Sequence, residues 1–149
     1  MAGPDEPRLL GIDIGATRSR ARLCTGGHLT AESQGPSASL PAAGRDRAGA
    51  ALTALLGDMK LDETDLLDAI CVGSAGLSVP GAREFLHAHL DPLTRPGALT
   101  IVTDIQLVLP AAGLTDGVAV VCGTGSVAVG SGGGLSAGWA GMGVGCREG

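Results

Sequence analysis

Aromatic residues are nearly absent from this sequence, which has one Phe, one Trp and no Tyr among 149 residues. A core must therefore be built from Ala, Val, Leu and Ile, and hydrophobic residues make up 44% of the chain. Only 17% of the residues are charged, and this composition indicates a globular rather than a disordered chain. The composition favours thin, closely packed α/β layers over an aromatic-rich sandwich.

Other absences exclude whole classes of protein. The net charge of −5 argues against a nucleic-acid groove, which needs a basic face. No apolar run reaches the roughly 18 residues of a membrane helix, and the start of the chain lacks the basic and apolar regions of a signal peptide. The four cysteines have no metal-binding spacing and are interpreted as reduced thiols. We therefore expect a cytoplasmic protein with no nucleic-acid or membrane partner.

One local basic run stands out against the acidic balance. Arg18, Arg20 and Arg22 alternate with small or apolar residues, as on one face of a strand. The run is either a solvated strand face or a device that steers an anionic nucleotide towards a site.

Apolar runs and turn residues predict the element order β-β-β-α-β-α-β-α-β-β. Three hairpin-linked strands, read as an antiparallel meander, followed by alternating helices and strands indicate an α/β fold with a mixed five-stranded sheet and helices on its faces. We assign 1–130 to this domain and interpret 131–149 as a Gly-rich, truncated tail. The predicted strands are 9–14, 19–24, 28–33, 67–72, 98–102, 117–122 and 126–130, and the predicted helices are 45–59, 81–90 and 105–112.

The first segment whose residues could bind a ligand or take part in a reaction is 11–19, where a predicted strand is followed by a glycine turn. Asp13 lies in an apolar strand, and burying its charge would be costly without a partner such as a hydrated Mg²⁺ ion. Gly15 would let the backbone approach a phosphate, and Thr17 and Ser19 offer hydroxyls and amides. The segment predicts a metal and phosphate site.

A second glycine turn, formed by Gly123, Thr124, Gly125 and Ser126, lies between two apolar strand runs. It suits a cradle of backbone N–H groups around an anion, although either turn alone could be an ordinary hairpin. Two such turns in one α/β chain favour phosphate binding at both.

Polar residues directly after a strand form the third candidate. Asp104 follows Thr103 at the end of a predicted strand and the start of a predicted helix. It is either a helix N-cap or a base that accepts a proton from a substrate hydroxyl. Trp139, after Gly138, would stack on a sugar or anchor its loop.

Taken in order, these segments resemble the motifs of actin/Hsp70/hexokinase-type ATPases. The segment 11–19 resembles their first phosphate motif, 123–126 the second, 73–76 a strand exit, and 138–139 the start of a Gly-Trp-Gly segment, while Asp104 is similar to their catalytic Asp. The chain therefore resembles the BadF/BadG/BcrA/BcrD-type ATPase family, which contains N-acetylglucosamine and glucosamine kinases.

The resemblance implies an RNase-H-like lobe of a two-domain kinase about twice this length, whose second lobe, with most of the adenosine pocket, is missing. It implies ATP and Mg²⁺ as cofactors, an amino sugar phosphorylated at the C6 hydroxyl, and a homodimer in the full-length form. Asp104 would be the general base and Asp13 would organise the metal. The phosphates would contact Gly15, Thr17 and Ser19 on one side and 123–126 on the other.

The sugar would meet Ser39, Thr103 and Trp139. The family's sugar loop often has Asn where Ser39 stands here, after Gly35 and Pro36, so the identity of the sugar stays open. The family's Gly-Asp-Glu-Gly segment reads Gly-Cys-Arg-Glu-Gly over 145–149, and a reading frame lost after about residue 130 would make this tail non-native.

Two other functions remain open. An activase of the same family would couple ATP hydrolysis to electron transfer through an iron–sulfur cluster, and it would need Cys122 and Cys146 at an interface. A non-catalytic fragment or sugar-sensing module is the other possibility, and we expect the isolated lobe to be inactive alone.

Overall fold

The computed structural model describes residues 6–61, 66–122, 126–132 and 135–141. Packing divides the chain into two compact units, Met1–Asp104 and Ile105–Gly149. This division falls earlier than the boundary at residue 130 that the sequence suggested, and that boundary stays a prediction.

The first unit contains a five-stranded mixed sheet with the strand order β3-β2-β1-β4-β5. The central strand β1 pairs antiparallel with β2 and parallel with β4, and β4 pairs parallel with β5. The predicted mixed sheet with an antiparallel meander is confirmed. The strands are β1 (Arg8–Ile14), β2 (Arg18–Thr25), β3 (His28–Pro36), β4 (Ala69–Ser74) and β5 (Leu99–Thr103).

Three α-helices connect these strands: α1 (Leu40–Ala43), α2 (Arg45–Gly57) and α3 (Ala82–Leu90). A 3-10 turn at Asp91–Leu93 follows α3. The short helix α1 was missed by the sequence prediction, because its four residues are too few to show helical periodicity. Strand β4 begins two residues later than predicted, since Leu67 instead forms an isolated bridge with Thr94.

The core lies on one face of this sheet. Ile12 and Ile14 of β1 point into it and are 2% and 0% exposed, as period-two alternation requires. Leu52 of α2 and Phe85 of α3 belong to the same buried cluster. The connections from β3 to β4 and from β4 to β5 run in the same direction along the sheet. Right-handed crossovers then place α2 and α3 on the same face.

The second unit contains a short helix, α4 (Val108–Ala111), and a three-stranded antiparallel sheet. The predicted helix over 105–112 is divided into a 3-10 turn, Asp104–Leu107, and α4, consistent with Pro110 lacking the N–H that a continuous helix needs. Strand β8 lies inside the segment interpreted as a tail. The strands are β6 (Gly117–Cys122), β7 (Ser126–Gly132) and β8 (Leu135–Gly141).

Gly76 lies in the turn after β4, where that turn packs closely against α1. Its φ is +78°, and a Cβ atom there would overlap the ring of Pro41. Gly97 has a φ of +79° but open space around it. We expect Gly76→Ala to lower the free energy of unfolding by about 1–3 kcal/mol more than Gly97→Ala, because only the first adds an overlap to the backbone strain. Urea unfolding measures both, and equal losses would contradict the packing of this turn.

Candidate functional site

The carboxyl ends of three parallel strands meet at one edge of the first unit. Ile14 of β1 is in register with Ser74 of β4, which is in register with Thr103 of β5. Asp13 therefore lies one residue before this edge, and Asp104 lies directly after it. Open α/β sheets bind ligands at such carboxyl ends, so both predicted acidic residues lie where a ligand would be expected.

The sequence analysis expected Asp13 to be buried in its strand, but the structure shows that it is not. Alternation along β1 directs its side chain to the face opposite Ile12 and Ile14, where it is exposed. The pKa of Asp13 is nevertheless raised, first by partial desolvation and next by the negative charge of Asp104, while Arg20 acts to lower it. Asp104 therefore lies within electrostatic reach of Asp13.

Two neighbouring carboxylates are a donor set that suits a hydrated Mg²⁺ ion. Mg²⁺ is usually held by one or two carboxylates, with waters and substrate phosphates completing its shell. A cation would also relieve the repulsion that raises the pKa of Asp13. No group of three or more potential ligands occurs among the described residues, so this pair would leave most coordination positions to other ligands.

The loop between β1 and β2 is tightly folded. The Gly15 N–H donates to the carbonyl oxygen of Arg18 at 2.9 Å, and a Cβ atom on Gly15 would lie 3.2 Å from that same oxygen. Glycine is thus favoured here by a close approach within the loop itself. Thr17 is exposed and borders a shallow cavity of about 320 Å³. The cavity is lined by Thr17, Arg18, Gln34, Gly35 and Pro36.

Two predicted ligand-binding serines have structural partners. Ser19 is 2% exposed, and its Oγ accepts a hydrogen bond from the Ala38 N–H at 2.9 Å. Ser39 is 1% exposed, and its Oγ donates to the Ala75 carbonyl at 3.1 Å. Ser19 shares the core-facing side of β2 with Ala21, an alternation that was visible in the sequence. Their contacts with phosphate and sugar stay predictions.

Arg20 is a residue whose connection to the acidic pair the sequence analysis missed. It lies directly opposite Asp13 in the β1–β2 ladder and lowers the pKa of that carboxyl group. Glu32 accepts a hydrogen bond from Arg22 Nε at 3.0 Å and lies 3.8 Å from Arg20 Nε. The predicted alternation of the basic residues on an exposed strand face is confirmed. The hairpin register that pairs Arg20 with Asp13 was the signal that could have revealed the link.

The other predicted site residues are described in part. Thr103 is half-buried at the end of β5. Residues 123–125 lie outside the described residues; Ser126 begins β7 opposite Cys122, and Trp139 lies in β8 opposite Ala128. The side chains of Ser126 and Trp139 also lie outside the description, as do those of the two cysteines on which the activase function depends. These predictions stay untested.

Comparison with known proteins identifies solved structures of the same fold. A candidate N-acetylglucosamine kinase from Chromobacterium violaceum matches at a TM-score of 0.61 and 26% identity, over 91% of this chain and 49% of that one. A candidate N-acetylglucosamine kinase from Porphyromonas gingivalis matches at 0.67 and 20% identity, over 87% and 46%. The ethanolamine utilization protein EutJ from Carboxydothermus hydrogenoformans matches at 0.60 and 14% identity, over 94% and 54%.

These matches show the class of fold. The chain has the actin-like ATPase fold, and it spans about half the length of these solved structures. No family model matches the chain, and no curated protein matches it. Within the described residues, no helix is both long enough and apolar enough to cross a membrane.

The electrostatic link between the two carboxylates can be tested by NMR titration. We expect Asp104→Asn to lower the pKa of Asp13 towards the ordinary range of an aspartate, because a negative neighbour is removed. Arg20→Gln should raise it further, because a favourable positive charge is lost. Asp91→Asn, at the C-terminal end of α3, is the control and should leave it unchanged. A pKa that moves in neither of the first two variants would contradict the described proximity.

Proposed function

We propose that this chain is the N-terminal lobe of an ATP-dependent amino-sugar kinase of the BadF/BadG/BcrA/BcrD type. The observation that carries the proposal is the pair Asp13 and Asp104 at the shared carboxyl edge of β1 and β5. The candidate N-acetylglucosamine kinases among the solved structures of this fold support the same reaction class.

The two carboxylates would take different parts in phosphoryl transfer. Asp13, beside the loop that contains Gly15, would hold the hydrated Mg²⁺ ion that accompanies the nucleotide phosphates. Asp104 would accept the proton of the attacking sugar hydroxyl. The raised pKa of Asp13 is consistent with a metal-binding role, because a bound divalent ion would favour the ionised form of this carboxylate. Catalysis would otherwise consist of positioning and charge neutralisation.

The remaining ligand contacts are proposed on the loops that resemble the phosphate motifs of the family. Thr17 is exposed beside the acidic edge and would contact the terminal phosphates, together with backbone amides of its loop. The loop 123–126 would contact the nucleotide from the other side. N-acetylglucosamine and glucosamine are the proposed substrates, phosphorylated on the C6 hydroxyl.

The direct test is sugar-dependent release of ADP, with N-acetylglucosamine and glucosamine offered separately and the product identified by ³¹P NMR. We expect the 149-residue chain to be inactive alone and the chain with its second lobe restored to be active. In the restored protein, Asp104→Asn should lower kcat by about 10²- to 10⁴-fold, the usual contribution of a general base. Asp13→Asn should raise the Mg²⁺ concentration needed for half-maximal rate.

Asp91→Asn serves as the matched control, because this exposed aspartate pairs with His87 on α3 and should leave the rate unchanged. Absence of phosphorylated sugar from the restored protein would reject the kinase function. Full activity in Asp104→Asn would reject the assignment of the base. Iron bound to the purified protein, with a brown colour, would instead support the activase function.

A further inference from the structure

The segment between β3 and α1 is tied to the neighbouring loops by serine hydroxyl groups. Ser37 Oγ donates to the Gly15 carbonyl at 2.7 Å and accepts the Ser39 N–H at 3.1 Å. Ser39 Oγ in turn donates to the Ala75 carbonyl at 3.1 Å. We name residues 37–39 the serine strap. The strap connects the β1–β2 loop to the turn that follows β4.

The hydrogen bond from Ser37 fixes more than one atom of the β1–β2 loop. The Gly15 carbonyl belongs to the same planar peptide unit as the Ala16 N–H, and in a trans peptide the two groups point in opposite directions. Holding the carbonyl towards Ser37 therefore turns the Ala16 N–H away from it. Within the part of the chain that the structure describes, this N–H donates to no backbone carbonyl, and Ala16 is exposed.

Other bonds hold the two anchored ends still. The Gly15 N–H is bound to the Arg18 carbonyl at 2.9 Å, so the peptide before the anchored carbonyl is also fixed. On the strap itself, the Ala38 N–H donates to Ser19 Oγ at 2.9 Å in a buried position. The hydroxyl of Ser37 is thus held at both its donor and its acceptor side, and its bond to Gly15 does not depend on a freely rotating side chain.

We propose that Ser37 is a positioning residue for phosphate binding, which orients the Ala16 N–H as a preformed donor. The inference rests on the proposed function, because the anion that this donor would meet is a phosphate of the nucleotide. Ser37 touches no reacting atom in this arrangement and acts only through the Gly15–Ala16 peptide. A donor oriented in advance avoids the loss of freedom that ordering the loop on binding would require.

The experiment uses ¹⁵N-labelled chain in four forms: unmodified, Ser37→Ala, Ser37→Thr and Ser33→Ala. Ser33 is the matched control, because its buried hydroxyl donates to Asp58 Oδ2 at 2.9 Å and so ties β3 to the end of α2 rather than to the β1–β2 loop. Relaxation measurements give the order parameter of the Ala16 N–H. We expect about 0.85 in the unmodified chain, in Ser37→Thr and in Ser33→Ala, and below about 0.6 in Ser37→Ala.

A second readout is the dissociation constant for inorganic pyrophosphate with Mg²⁺, followed in the same spectra. Pyrophosphate needs no adenosine pocket and so suits a single lobe. We expect Ser37→Ala to weaken its binding about tenfold or more, the usual effect of losing one hydrogen bond to a charged group, and Ser37→Thr to restore it.

The two readouts separate the two proposals. An unchanged order parameter in Ser37→Ala, or an equal decrease in Ser33→Ala, would overturn the positioning role. Native binding of pyrophosphate by a Ser37→Ala chain whose loop is mobile would overturn it as well. If the unmodified chain binds no pyrophosphate, phosphate binding fails as a function, while the order parameters still decide whether Ser37 orients the peptide.

Discussion

Parallel pairing of β1 with β4, and of β4 with β5, is the constraint on which the candidate site depends. It sets three strand ends level, so that Asp13 near the end of β1 and Asp104 just beyond β5 come close although they are far apart in sequence. A shift of one residue in either pairing would send side chains to the opposite face of the sheet. The register of β1 with β4 is fixed by burial, because the alternate residues Ile12 and Val72 must stay in the core.

The same alternation gives the two faces of the sheet different kinds of residue. The core-facing side carries apolar residues and Ser19, whose hydroxyl is occupied within the protein. The other side carries Asp13 and the basic row that begins at Arg18. Partial desolvation and the charge of Asp104 raise the pKa of Asp13 and so disfavour its ionised form. Carboxylates with a pKa raised like that of Asp13 are common at functional sites, where a bound ligand can compensate.

Much of the sheet could be predicted, because period-two burial and turn glycines are local signals. Both the strand order in the meander and the position of Asp104 after β5 followed from such signals. Burial of hydroxyl groups outside the strands could not be predicted in the same way, because no alternation marks it. Ser39 was predicted as a sugar ligand from its place in a motif, and the structure adds that it is 1% exposed, with its hydroxyl bound to the Ala75 carbonyl in the turn after β4. Contacts between loops distant in sequence, such as Ser37 with Gly15, leave no periodic trace.

The central position of β1 also has a consequence for how the chain is made. Its first partner, β2, follows at once, but its contacts with the β4 region span 60 residues, as in the bond from the Arg8 N–H to Asp68 Oδ2. At a translation rate of about 5–20 residues per second, β4 is synthesised several seconds after β1. Until then, the edge of β1 that pairs with β4 is unpaired. During that time an apolar strand edge is available to other nascent chains. We therefore expect the β1–β2–β3 meander to be most prone to association before β4 has left the ribosome.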